Sequence, residues 1–160
     1  MIRPARGDDL PICQEIERDA GRAFAEIGMT RIAEDEPLPL PVMERYRDDG
    51  GAFVAVDDTD TPIGYLLAEP VDNAVHIEQV SVRLAYARRG VGRRLIDSLT
   101  ADTLTLTTFR DVPWNAPYYR RLGFRDLSQN ELSPGLLAIR QHEAQLGLDR
   151  WPRSAMRRRR

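Results

Sequence analysis

The chain has 160 residues, 42% hydrophobic and 30% charged, with a net charge of −2. That length suits one core-forming domain over residues 1–160, and the near-neutral charge gives nucleic acid no global attraction. The short apolar runs exclude a membrane-spanning segment, the opening "MIRPARGDDL" has no signal-peptide core, and the lone Cys13 excludes an internal disulfide and a cysteine metal cluster, so a cytoplasmic protein is expected.

In chain order, "MIRPA" predicts a short strand. "GDDLPICQEIERDAGRAF" predicts a helix, with Asp capping signals, Pro11 in the first turn, and Ile12, Ile16 and Ala20 four apart. Residues 28–41 are acidic and Pro-rich and read as a loop, and "PVMERYRDD" as a short helix ending at Gly50-Gly51. Three strand signals follow, "GAFVAVD", "PIGYLLAEPVD" and "AVHIEQVSVRL", separated by "DDTDT" and Asn73, as in an antiparallel meander. A helix with Val91, Leu95, Ile96 and Leu99 on one side leads to the strand "DTLTLTTF", which should run parallel to its predecessor. "NAPYYRRLGF" predicts a helix ending at Gly123, and "FRDLSQ" a strand. Residues 133–147 predict a helix capped by Ser133, with Pro134 at its first position. "PRSAMRR" predicts a last strand. Every basic residue is arginine, and the tail "RSAMRRRR" reads as a frayed end or, less simply, a nucleic-acid contact. The sum is α/β with a mixed sheet.

The stretch "YARRGVGRRLI" joins a strand to a helix through Gly90 and Gly92, with Arg88, Arg89, Arg93 and Arg94 around them. Glycines there admit left-handed backbone and close ligand approach. Successive N–H groups form an anion nest, reinforced by the helix start and by charge-assisted bonds from arginine. A phosphate or pyrophosphate site is expected; the other reading is a tight structural turn. The dinucleotide fingerprint fails because Leu95 holds its third glycine position, and a Walker loop fails for want of lysine.

"VSVRLAYARRGVGRRLI" resembles the acyl-CoA signature of the GNAT superfamily of N-acetyltransferases, with Val82 eight residues before Gly90. Ala87 stands where that pattern has Gln or Arg, and Arg88 is one place late. "NAPYYRRLGF" is similar to the superfamily's late motif through Ala116, Tyr119, Gly123 and Phe124, while the helix of residues 133–147 resembles an insertion before the final strand. The resemblance implies an α+β fold: a mainly antiparallel central sheet with helices on both faces and a splayed parallel pair, strands 74–83 and 103–109, driven apart by a bulge.

It further implies acetyl-CoA as cosubstrate, its pantetheine arm on the backbone of Val80 and Val82 and its pyrophosphate on the N–H groups of Arg88, Arg89, Gly90, Val91, Gly92 and Arg93. An amine acceptor is mostly protonated at neutral pH and needs a base. Strand alternation puts His76, Glu78, Val80 and Val82 on one face. Glu78 is the first candidate base, or else a structural or acceptor-binding carboxylate. His76 is the second, or else a packed strand histidine. Tyr119 matches the family's general-acid tyrosine, or packs. Asn115 caps its helix, contacts the cofactor, or both. The Val80 N–H is placed to stabilise the developing oxyanion. Asp111 and Trp114 precede Asn115 and line the acceptor pocket or a surface turn. No metal is expected, since His76 and His142 are the only histidines and lie far apart. Glu34, Asp35 and Glu36 would favour a cationic amine, with Phe24 and Tyr46 as pocket walls or core. The acceptor is read as a small-molecule amine. The alternatives are a protein N-terminus or side chain, and a non-catalytic acyl-CoA-binding module. A homodimer is expected from the resemblance.

Overall fold

Strands β1 (Ile2–Pro4), β2 (Ala52–Val56), β3 (Pro62–Val71), β4 (Ala74–Val82), β5 (Thr103–Phe109), β6 (Arg125–Asp126) and β7 (Arg153–Arg159) form one sheet in the order β1-β2-β3-β4-β5-β7-β6. The helices are α1 (Leu10–Gly21), α2 (Thr30–Ala33), α3 (Leu40–Asp48), α4 (Val91–Asp97), α5 (Ala116–Arg121) and α6 (Pro134–Gln145). This computed structural model describes residues 1–160. The fold is the expected α/β class, with β4 and β5 as its parallel pair. No helix is long and apolar enough to cross a membrane. The chain divides into two compact units, Met1–Ala68 with Gln79–Thr100, and Glu69–Glu78 with Ala101–Arg160.

In the first unit, β1 pairs antiparallel with β2, and β2 with β3, as the meander signals require. Val54, Tyr65 and Leu67 of these strands pack with Leu10, Ile16 and Met43 of the helices. Each such side chain contributes about 1.5–3 kcal/mol by leaving water. The fully buried residues of α1 are Leu10, Cys13 and Ile16, with Ile12 partly buried against the same core, and the α-helix starts at Leu10 after a separate 3-10 turn over Gly7–Asp9. The expected helix also ends early, passing into a second 3-10 segment at Arg22–Ile27, and the expected loop contains α2. "DDTDT" turns as anticipated: the Asp57 carboxylate accepts the N–H groups of Thr59 and Thr61 at 2.9 and 3.0 Å.

Asp9 ties the entry of α1 to β1. Its carboxylate accepts the Arg6 N–H at 2.7 Å and both terminal nitrogens of Arg3 at 2.7 and 3.2 Å. Burial alone would raise the Asp9 carboxyl, but the Arg3 guanidinium and the Arg6 N–H hold it below the usual carboxylate range. A depressed folded pKa adds stability at any pH above the unfolded value near 4 and loses it as pH falls through the folded one. Asp9→Asn should therefore lower the melting temperature at pH 7 by several degrees, and the gap to wild type should close in melts at progressively lower pH below 4.

In the second unit, β5 is central. It pairs antiparallel with β7 over Thr103↔Arg159 through Phe109↔Arg153, and parallel with β4 at Val75↔Leu104 and His76↔Thr105. The arginine-rich C-terminus is thus a strand through Arg159, not a frayed end, because β7 lies between β5 and β6 and both flanks hold its backbone. The strand expected over residues 124–129 shortens to β6, since Ser128 and Glu131 form a capping box that turns the chain. Ser133 caps α6, its hydroxyl oxygen accepting the Leu136 N–H at 3.4 Å.

Candidate active site

The candidate residues fall on both units. On the first unit lie Val80 and Val82 of β4 and the turn from Arg88 to Arg93. Past β4 the Arg83 N–H donates to the Ile63 carbonyl at 2.9 Å, carrying the ladder one residue further. The Leu84 N–H then donates to Asp19 Oδ2 of α1 at 2.8 Å, and Asp19 also pairs with Arg22. So a carboxylate 65 residues away fixes the chain entering the turn.

The turn itself holds two left-handed residues, Arg88 at φ +63° and Gly90 at φ +76°, and Gly90 is the N-cap of α4. Left-handed and right-handed residues in succession aim neighbouring N–H groups to one side, the geometry of an anion nest. Arg88, Arg89, Arg93 and Arg94 are all exposed around it. The Arg89 guanidinium lies 5.6 Å from the centre of the Tyr86 ring, and Arg94 Nη1 donates to the Arg89 carbonyl at 3.1 Å. Val91, Leu95 and Ile96 are buried beneath. What lets α4 approach is Gly64 of β3: a Cβ there would stand 3.1 Å from the Ser81 carbonyl oxygen, 3.2 Å from Val91 and 3.4 Å from Leu95. Asp19 and Gly64 carry no motif, and sequence reasoning passed over both.

The first unit also holds the acidic loop. Glu36 pairs with Arg18 at 3.0 Å, while Glu34 and Asp35 are exposed. Tyr46 packs at the edge of the core, and Phe24 is half-buried. Glu17 of α1 meets the hydroxyl of the buried Tyr65, and burial raises its carboxyl above the ordinary range against the opposing pull of that bond. Sequence reasoning did not single out Glu17, because a glutamate inside an amphipathic helix ordinarily points to water.

On the second unit, His76 is 1% exposed and its Nδ1 lies 2.9 Å from Thr105 Oγ1. Burial lowers its pKa, so the ring is neutral at pH 7. Glu78, two residues on, is exposed. His76 and Ile77 are buried in succession where β4 runs beside β5, and Glu78 lies past the last register pair. Burial and the Thr105 contact support the packed reading of His76.

Tyr119 sits on α5, entered by a turn in which the Asn115 N–H donates to the Val112 carbonyl at 2.9 Å. Asn115 occupies the N-cap position, but its side chain makes no capping bond, so only its carbonyl serves the helix, accepting the Tyr119 N–H at 3.0 Å. The Tyr119 ring makes edge contacts with Tyr118 and Phe124 at 5.3 and 5.9 Å. Burial pushes its phenol well above the ordinary value, so it stays protonated. Arg158 of β7 braces this helix: its Nη1 donates to the Leu122 carbonyl at 3.2 Å, and its guanidinium covers the Phe124 ring at 5.3 Å. Asp111 and Trp114 are exposed in the preceding loop. The chemistry available is an open, electropositive nest of N–H donors on one unit, and an exposed carboxylate and a protonated phenol on the other.

The acetyltransferase (GNAT) family model matches residues 13–124. A mycothiol acetyltransferase from Clavibacter michiganensis subsp. michiganensis is 36% identical over 88 residues, which are 52% of this chain and only 28% of that relative. Among solved structures, a GNAT-family acetyltransferase from Staphylococcus aureus aligns with a TM-score of 0.71 at 16% identity, covering 99% of this chain and 98% of that one. The PaiA N-acetyltransferase from Thermoplasma acidophilum, solved with coenzyme A, aligns with a TM-score of 0.65 at 15% identity, over 100% of this chain and 98% of the other. A ribosomal-protein-alanine N-acetyltransferase from Escherichia coli aligns with a TM-score of 0.65 at 16% identity, over 99% and 92%. At such identities the structural likeness establishes the fold.

Proposed function

The chain belongs to the GNAT acetyltransferase family, and from that premise we propose that it transfers an acetyl group from acetyl-CoA to the primary amine of a small molecule, with Glu78 as general base and Tyr119 as general acid. The observation that carries this reading is the turn after β4, where left-handed Arg88 and Gly90 open a run of N–H groups amid four exposed arginines. That turn suits the pyrophosphate of a coenzyme, which the N–H groups from Arg88 through Arg93 would hold, with the backbone of Val80 and Val82 taking the pantetheine arm. Acetyl-CoA, when bound, supplies the thioester carbonyl that an amine attacks.

Glu78 takes the proton from the attacking ammonium, directly or through water, so that the nitrogen lone pair is free. The Val80 N–H stabilises charge on the carbonyl oxygen. As the carbon–sulfur bond breaks, Tyr119 presents its phenolic proton to the sulfur. Asn115 is a further coenzyme contact in this reading. The acidic loop around Glu34 and Asp35 supports a cationic acceptor. The ribosomal-protein-alanine acetyltransferase among the structural neighbours keeps a protein acceptor as the second reading. The enzyme is read as a single cytoplasmic domain over residues 1–160, metal-independent and homodimeric.

Calorimetric titration with acetyl-CoA, followed by a panel of small amines and peptides assayed for thiol release, tests the proposal. Micromolar coenzyme affinity and turnover with small amines are expected; no binding would remove the reading, and turnover with peptides alone would move it to the protein acceptor. Glu78→Gln should cut kcat at least tenfold and flatten the limb of the pH–rate profile that rises toward alkaline pH. A profile of unchanged shape would transfer the base role to His76 or water.

A further inference from the structure

The acetyl-transfer roles proposed above draw no reacting group from helix α6 or from the arginine-rich last strand. These two elements meet in the second unit. Thr103 and Thr105 of β5 stand directly across from Arg159 and Arg157 of β7, so all four side chains alternate onto one face of the sheet. Ser133, at the start of α6, and Asp72, in the β3–β4 turn, complete a cleft of about 200 Å³. It opens at the beginning of β5, whereas the glycine turn follows the end of β4. It also involves residues beyond the segment 13–124 that the family model matches.

The charges in this cleft are not mutually satisfied. Glu131, on its rim, is already engaged: Arg125 Nη2 lies 2.7 Å from it and Ser128 donates its N–H at 3.0 Å. The Arg125 guanidinium and those Ser128 bonds hold its carboxyl down at about 2. Asp72 accepts the Gly135 N–H at 2.9 Å. For Arg157 the Glu131 carboxylate is 3.8 Å away, beyond hydrogen-bonding range. Arg157 Nε is buried with no partner. Burial, together with the neighbouring Arg159 and Arg125, disfavours its charged form against the opposing pull of Glu131. A buried donor without an acceptor is costly, and a guanidinium fork matches the oxygens of phosphate or carboxylate.

We propose that this cleft binds a small oxyanion, the phosphate or carboxylate group of a metabolite, between Arg157 and Arg159, with the Thr103 and Ser133 hydroxyls as further contacts. Its volume admits a group of a few heavy atoms and excludes a whole coenzyme. This makes it a second ligand site, independent of the acetyl-transfer reading.

The test is calorimetric titration with inorganic phosphate in one arm and malonate in the other, in chloride buffer of matched ionic strength. Both arms use the full chain carrying Gly90→Glu, so that anion binding at the glycine turn does not contribute. Saturable binding of at least one anion at about 1 mM or tighter is expected, and the tighter arm identifies a phosphate or a carboxylate ligand. Arg159→Gln, an exposed substitution at the strand end, should weaken that binding at least fivefold without moving Tm. Arg157→Gln with Arg159→Gln should abolish it. No saturable binding of either anion, or equal affinity in Arg159→Gln, overturns the proposal.

Discussion

Gly90→Glu is expected to weaken acetyl-CoA binding at least a hundredfold, a loss of about 2.7 kcal/mol. Two effects add. Gly90 has φ +76°, where an L side chain costs about 1–2 kcal/mol. The chain must either bear that strain or rotate the peptide, which turns neighbouring N–H groups away from the anion. The new carboxylate also sets a like charge beside the pyrophosphate, where nearby arginines are already partly engaged: Arg94 with the Arg89 carbonyl and Arg93 with Asp97. Gly90→Ala separates the two, since it carries the strain without the charge. Its Cβ would stand 3.5 Å from Arg94 Nη1, an ordinary contact, so about five- to tenfold weaker binding is expected from the peptide rotation that relieves the strain. Gly90 is exposed, and neither variant should unfold the protein. Calorimetry on both decides: unchanged affinity in Gly90→Glu means that the turn holds no pyrophosphate.

The glycine turn was legible because its signal is local. Left-handed backbone needs glycine at the spot, and a strand-to-helix junction is read from the residues on either side. What supports the turn was not legible, because it comes from far along the chain. Asp19 bonds Leu84, and Gly64 clears space for Val91 and Leu95. An aspartate late in a helix and a glycine inside a strand each have many bland explanations until the fold brings a partner near. The same limit explains the stripe of α1. Ile12 packs against the core as its spacing suggests, but Leu10 and Cys13 are the residues fully buried beside Ile16, and which of several apolar positions is covered depends on partners far along the chain. For β7, charge misled. Four consecutive arginines suggest a solvated tail, but Arg158 spends its guanidinium on the Leu122 carbonyl and the Phe124 ring while its backbone completes the ladder with β5. Asn115 shows the reverse: capping was the obvious role for its side chain, and the side chain does not perform it.

Tyr119→Phe should lower kcat about ten- to hundredfold while leaving acetyl-CoA affinity and Tm close to wild type. The substitution keeps the ring, and with it the edge contacts to Tyr118 and Phe124, so a packing role alone predicts no kinetic change. It removes only the phenolic proton donor. Burial holds that phenol's pKa above its ordinary value, and so above the ordinary thiol value of about 8.5. Complete proton transfer to the departing sulfur is therefore uphill, and the contribution is a hydrogen bond that strengthens as negative charge gathers on sulfur. A bond to a charged partner is worth about 1.5–3 kcal/mol, which sets the expected range. The same raised pKa fixes the pH dependence. Tyr119 stays protonated from pH 6 to beyond pH 10, so the variant's pH–rate profile should run below the wild-type one and parallel to it, unlike the flattened profile expected of Glu78→Gln. Unchanged kcat would leave Tyr119 a packing residue. A reduced kcat with an altered pH limb would mean that the substitution had disturbed the base instead.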